Sequence, residues 1–429
     1  MSEVLLYAAV GVAGIWIVCV WLRGWLFTSC ILCTTTLIYA AGYAQTQAPV
    51  RVALLSFLVL GVVALFCENT LNVSRRAKFI CIGCVAVCGV IFVTGQVLLD
   101  GSASDPLFRY TLLYPLAALA GFLISGSDKQ ITVARTYVSV SLLMGLLAIF
   151  ERLTANFLVA GTYENADRLV RDGSIRSIVF AEHPLVLSVL LVCAMPFVSQ
   201  ALPWHWLRFA AYVVIVASVL STNSRGALVL LATWALLRIT VRFSALRTGF
   251  TRVLKVTVGL GAAVAFYALL LGSGSEQLES STAVDASAEY RSTLYSFAVR
   301  SLFEQPFGWG ISGLPEGTYL AASLFGPLDV AKTVDSELAL TVFDFGWIGL
   351  VTFLALGFGL VQPQRLASTY GQAAFLVTAS GLYLALHAWV GLGTLWWLLI
   401  GLTFGAQHTK SPSGRLVQIH SKKLQTRSL

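Results

Sequence analysis

Charge is scarce in this chain. Asp, Glu, Lys and Arg make up 11% of 429 residues, whereas 57% are hydrophobic, with a mean hydropathy of +0.82. A soluble domain of this length has too little interior to hide so much apolar surface, so a multi-pass membrane protein is the class that remains. The apolar runs also lack the apolar/polar alternation of membrane barrel strands. Runs of roughly 17–22 apolar residues recur from end to end, enough to cross a hydrocarbon core of about 30 Å as helices.

Other absences narrow the chemistry. There is no Walker loop, no nucleophilic triad and no zinc spacing with histidine nearby. The eight cysteines all lie in apolar runs, and Cys30/Cys33 and Cys81/Cys84/Cys88 are expected to be small packing residues. Met1-Ser2-Glu3 lacks a basic flank, so the first apolar run is expected to be a span rather than a cleaved signal peptide. The runs predict spans near 4–22, 25–44, 50–67, 78–99, 107–126, 131–150, 179–199, 206–221, 225–243, 252–272, 337–361, 371–388 and 390–406. The expected fold is therefore an all-α bundle of about 12–13 transmembrane helices, a single domain over residues 1–429.

The net charge of +8 does not require a nucleic-acid partner. With the N-terminus outside and the C-terminus in the cytoplasm, most of the 28 basic residues fall on the inner face, including Arg75, Arg76, Lys78 and a basic tail at 407–429. Only Glu68 and Asp128 of the 20 acidic residues would then be inside. Two long segments go to the outer face, 151–178 and 273–336. In the second, Tyr290, Leu294, Phe297 and Leu302 predict a surface helix over 284–304, its apolar face toward lipid or the bundle. Pro306 ends it, and "GWGISGLPEGT" (308–318) supplies glycine-rich turns.

Among so few charges, those near the outer face need reasons. Arg225 lies in "STNSRGALVL" (221–230), at the start of a span. It is either a snorkelling anchor or, beside the free N–H groups of a helix N-terminus, one half of a phosphate site. Arg176 in "GSIRSIVFAEHP" (173–184) strengthens the second reading, while Arg168 and Arg171 read as solvated loop charges. Arg291 faces either solvent or the bundle, and His183 before Pro184 is either a structural hydrogen-bonding residue or a substrate contact. In "TVDSELALTVFDFGWIG" (333–349), Asp335 and Glu337 stand at the entry to a span, with Asp344 on the face of Glu337. Glu337 also suits a first helical turn, and Asp344 would suit a buried partner such as His387. Arginines and carboxylates on one face suggest an anionic group held near a general base.

Three pieces together resemble the O-antigen ligase/polymerase superfamily of bacterial envelope proteins: the arginine loop leading to His183-Pro184, the "NSRGA" turn (223–227), and the large loop from "YRSTLYSFAVRSLFEQPFGWGISG" to Asp344-Phe345-Gly346. The resemblance covers about 150–350. It implies a GT-C-like, metal-independent, inverting glycosyltransferase of the bacterial plasma membrane, without a cofactor. Its donor would be a polyprenyl-pyrophosphate-linked glycan and its acceptor a second glycan, in the lipid bilayer, with a chain-length regulator as an optional partner and no nucleic acid. The family's pyrophosphate-holding arginines match Arg176 and Arg225, with Arg291 as a third. Where the family commonly has a His-Asn-type pair, this chain has Asp335-Ser336, which moves the base role to Asp335, with Glu337 as second candidate. That departure favours a polymerase of lipid-linked repeats over a ligase. A transporter for the same lipid is the alternative of another class, disfavoured by few deep charges and no internal repeat.

Overall fold

The computed structural model describes residues 25–41, 47–67, 90, 104–125, 127–158, 170–171, 174–181, 183–242, 283–321 and 328–405. The expected spans 4–22, 78–99 (save residue 90) and 252–272, the tail 407–429 and Arg168 lie outside the described residues.

The described chain is mostly helical. Helices α1 (Trp25–Ala40) and α2 (Gln47–Cys67) are followed by α3 (Ser104–Phe108), a π-helical turn (Arg109–Leu113) and α4 (Tyr114–Ile124). Next come α5 (Lys129–Thr154), α6 (Pro184–Ala201), α7 (His205–Ser221), α8 (Arg225–Arg242) and α9 (Ala283–Glu304). The last are α10 (Glu337–Leu360), α11 (Pro363–Leu366), α12 (Thr369–Ser380) and α13 (Val390–Gly405). Two antiparallel pairs of short strands decorate the loops: β1 (Val170–Arg171) with β2 (Ser174–Ile175), and β3 (Leu320–Ala321) with β4 (Leu328–Asp329). Among the described residues, four helical stretches are long and apolar enough to cross a membrane: Asp105–Ile124, Lys129–Thr154, Pro184–Ala201 and Glu337–Leu360.

Helix α6 is the axis of the bundle, with a fully buried run from Val186 to Val198 against α5, α7, α8 and α12. Close approach of α4 and α13 depends on small residues, as membrane helices without a hydrophobic driving force require. A methyl on Gly121 would overlap the Leu398 carbonyl, and one on Gly401 would overlap that of Ala118. The π turn has a local cause. Pro115 cannot donate a helical hydrogen bond, and the Tyr114 amide reaches back to Arg109 O instead.

The ends of the bundle differ chemically. At one, Tyr370 donates to Gln130 O (2.9 Å), and Arg365 lies 4.0 Å from the Phe404 ring centroid. Lys129 and Arg208 belong to the same end, where Trp204 and Trp206 stack on the surface. At the other end the loops before α6, α8, α10 and α13 converge.

Two helices are broken there. The apolar run 371–388 predicts one span, but α12 stops at Ser380 and residues 381–389 run irregularly to α13. The reason is tertiary: the N-terminus of α10 docks on the opened backbone. Glu337 N donates to Gly381 O (2.8 Å), while Arg109 donates to His387 O (2.9 Å) and Ala388 O (3.1 Å). Tyr114 also donates to His387 O (3.0 Å), and Tyr295 to Leu382 O. Away from water each carbonyl left bare would cost several kcal/mol, so these donors decide that the run can open.

Helix α10 is broken at Gly346, which has φ +56° and ψ −134°. The turn after α9 fills the break: Trp309 N and Gly310 N donate to Phe343 O and Asp344 O (both 2.8 Å), and Trp347 N to Pro306 O (2.9 Å). Gly308 is required at the crossing, since a side chain would lie 2.5 Å from the Asp344 carbonyl oxygen. The apolar face of α9 turns toward the bundle, burying Leu294, Ala298 and Leu302 against Ala339, Val342 and Phe343.

Gly346→Ala combines a forbidden conformation with a steric overlap on Pro306 O, and should destabilise the protein by about 3 kcal/mol. Gly357→Ala, with nothing near its Cβ, should be neutral or stabilise by up to about 1 kcal/mol. Thermal unfolding of the two variants in detergent checks the contrast.

Candidate functional site

The turn between α7 and α8 is buried and polar. Thr222 is buried, Asn223 adopts φ +50°, a conformation short Asn side chains tolerate, and Arg225 opens α8 exposed to the surroundings. The segment before α6 lies along this turn: Ser177 N donates to Ser221 O (3.2 Å) and Arg176 Nε to Thr222 O (3.3 Å). Arg176 and Arg225 therefore flank one turn.

The backbone just after Arg176 is held by a residue that the motifs do not single out. Glu151, in the last turn of α5, has no solvent exposure. Its carboxylate accepts from Ile178 N and Val179 N (both 2.9 Å) and from Leu158 N (3.0 Å), which offsets the cost of burying its charge. Val179 sits at φ +53°, an uncomfortable conformation for a β-branched residue that these bonds maintain. The signal was available, because an acid inside an apolar run is costly without a role.

Arg291 faces the bundle side of its loop. Its Nε lies 3.4 Å from Asp335 Oδ2, both side chains being a little over one-third exposed at 38% and 37%. Tyr290 donates to Thr333 O (2.5 Å), and Tyr295 Oη lies 3.0 Å from Ser336 Oγ, so α9 grips the strand entering α10. Asp335 Oδ1 is buried and has no hydrogen-bond partner among the described residues. Burial pushes the Asp335 carboxyl above its usual range, and the Arg291 guanidinium offsets part of that rise.

Glu337 is placed differently. It is wholly buried at the N-terminus of α10, where a negative charge is favoured. One oxygen accepts from His387 N (2.9 Å) and the other contacts His387 Nδ1. Trp397 Nε1 donates to His387 Nε2 (2.9 Å), which assigns the ring proton to Nδ1, facing Glu337. Tyr110, Tyr114, Trp396 and Trp397 surround the imidazole. The partner expected for Asp344 was His387; the observed partner is Tyr110, whose hydroxyl donates to Asp344 Oδ2 (3.1 Å). Asp344 lies beneath the 308–313 turn, away from the arginines.

His183 caps α6: its Nδ1 accepts from Leu185 N (3.1 Å), and its ring packs beside Trp389. Burial, with a smaller contribution from Arg176, lowers its pKa to about 4, so the ring is neutral at physiological pH. A second group absent from the sequence reading is Asp105, which pairs with both Arg51 and Arg109 and orients Arg109 toward residues 387–388.

The sequence-identified residues thus fall into two groups. Arg176, Arg225, Arg291 and Asp335 lie at one end of the bundle, the first two at the turn between α7 and α8 and the other two paired on α9 and the entry to α10. Between the turn and the entry to α10 lies Tyr383, whose ring packs on Gly226. Glu337 and Asp344 lie beneath, in a buried aromatic layer. Among the described residues no three His, Cys, Asp or Glu side chains are placed to hold a metal ion. That end of the bundle thus carries an Arg291–Asp335 pair whose carboxylate keeps one oxygen without a partner among the described residues, and two further arginines at the neighbouring turn. No protein-family model matches the chain, and no curated protein matches its sequence.

Glu337→Ala would leave His387 and the 381–389 backbone without their acceptor, at a cost of about 3–5 kcal/mol, seen as lost yield or a lowered thermal midpoint. His183→Ala should cost about 1 kcal/mol through the lost cap, and His183→Asn much less, because asparagine caps well.

Proposed function

We propose that this protein is a membrane glycosyltransferase that polymerises polyprenyl-pyrophosphate-linked oligosaccharide repeats at the outer face of the bacterial plasma membrane. The observation that carries this reading is Asp335: a half-buried carboxylate, one oxygen beside Arg291 and the other without a partner among the described residues, at the end of the bundle that also bears the Arg176–Arg225 turn. A lipid-linked pyrophosphate reaches such an edge laterally through the bilayer. The end with Lys129, Arg208 and Arg365 is then cytoplasmic, in keeping with the positive-inside rule.

In the proposed reaction an acceptor sugar hydroxyl attacks the anomeric carbon of the donor. Asp335 takes the hydroxyl proton as the new carbon–oxygen bond forms. The bond to the pyrophosphate oxygen breaks, its electron pair leaves with the polyprenyl pyrophosphate, and the anomeric carbon inverts. Arg176, Arg225 and Arg291 stabilise the growing negative charge, and each is worth about 10²–10³ in rate by analogy with oxyanion donors. The Asp335 base contributes about 10²–10⁴. Glu337, enclosed with His387, fixes the floor of the site and presents no oxygen to an acceptor.

Asp335→Asn should leave folding intact and reduce glycan polymerisation by at least about 10²-fold. Arg225→Lys should also impair it, because the planar fork is lost although the charge is kept. The readout is the size distribution of lipid-linked glycan: single repeats support polymerisation, long chains stranded on the carrier point to ligation, and repeats trapped on the cytosolic leaflet point to transport.

The acid limb of the rate profile should lie above the ordinary aspartate pKa of 3.8, because burial raises Asp335. Replacing Arg291 with Gln removes the offsetting positive charge and should move the limb of the residual activity to still higher pH. An acid limb at or below 3.8 would remove Asp335 as the base.

A further inference from the structure

Tyr383 sits in the irregular stretch between α12 and α13, in an apolar run where nothing in the sequence marks it. The hydroxyl-bearing edge of its ring faces the first turn of α8: a methyl on Gly226 would lie 2.7 Å from Cε2 and 2.9 Å from Cζ. Its Oη is therefore close to the backbone that follows Arg225, with Cys193 of α6 and, more weakly, Arg291 within electrostatic range. Yet Oη is buried and has no hydrogen-bond partner among the described residues. Buried phenols normally find a partner, because leaving the hydroxyl unpaired forfeits its hydration. Ser301 Oγ and Trp234 Nε1 are also unpartnered, but each lies within a helix away from the bridge between the arginine-bearing elements.

A neutral phenol near Arg291 and the first turn of α8 can donate a hydrogen bond without adding charge. The group that suits this setting is rich in acceptor oxygens and negatively charged, and phosphate meets both requirements. We propose that Tyr383 is a ligand-binding residue whose hydroxyl donates to a phosphate oxygen of the anion held by Arg176, Arg225 and Arg291. This rests on the reading of that edge as a pyrophosphate-lipid site. It also explains the glycine of Ser224-Arg225-Gly226: any side chain at 226 would displace the ring that carries the donor.

The test is binding to the purified full chain in detergent, with a polyprenyl pyrophosphate and the polyprenol of equal length as probes. The wild type should prefer the pyrophosphate lipid. Tyr383→Phe, which keeps the ring on Gly226, should weaken that binding by about tenfold and leave polyprenol binding unchanged. Gly226→Ala should weaken it similarly by displacing the ring. In the Tyr383→Phe background it should add less than about twofold, because both changes remove one contact. Undiminished pyrophosphate binding by Tyr383→Phe, together with loss in Arg225→Ala, would overturn the role of Tyr383 and leave the arginine site standing. A wild type that does not distinguish the two lipids would overturn both.

Discussion

Backbone that leaves a helix inside an apolar bundle must find hydrogen-bond partners within the protein, and the rest of this structure depends on how that need is met at residues 381–389. Glu337 supplies the acceptor for one amide and one imidazole, and its own amide closes on Gly381 O. Arg109 and Tyr114 supply donors from the opposite side. Glu337 is buried without exposure, an arrangement tolerable only because its charge meets the N-terminus of α10 and both oxygens are occupied. The same docking brings Tyr383 to Gly226 and Ser336 to Tyr295, so the upper edge inherits its geometry from a contact one layer down.

The break at Gly346 obeys the same constraint by other means. Carbonyls of Phe343 and Asp344 are met by amides of the 308–310 turn, and two glycines permit the approach. The two breaks are complementary. One fixes the residues beside α8, and the other fixes the C-terminal end of α9, the helix that carries Arg291.

Much of the helical architecture was legible in the sequence, because length and apolarity suffice to specify a spanning helix. Runs at 131–150 and 225–243 match Lys129–Thr154 and Arg225–Arg242 closely. A helix over 284–304 was legible from the spacing of Leu294 and Leu302, and it is found at Ala283–Glu304. The run 371–388 misled, since hydropathy records where a segment resides and not whether its backbone is helical. The expected span at 179–199 started early for a related reason: Ile178 and Val179 are apolar, yet Glu151 holds them in a non-helical path. Arginines and acids at the loop ends stood out because charge is rare in this chain. Their partners did not, since Glu337 with His387, Tyr110 with Asp344 and Arg176 with Thr222 join residues far apart in sequence. Tyr383 carried no local signal, because one more aromatic in an apolar run looks like packing.

The hairpin seated in the α10 break has a mechanical consequence. With Trp309 and Gly310 bonded to one half of the helix and Pro306 to the other, α9 and α10 are tied into one hydrogen-bonded unit. Arg291 and Asp335 both belong to it. The Arg176–Arg225 turn belongs to a different body, built on α5, α6, α7 and α8. The 381–389 stretch, hydrogen-bonded to α10, meets this second unit through Tyr383 at Gly226 and Trp389 beside His183, so two aromatic contacts help to join the halves.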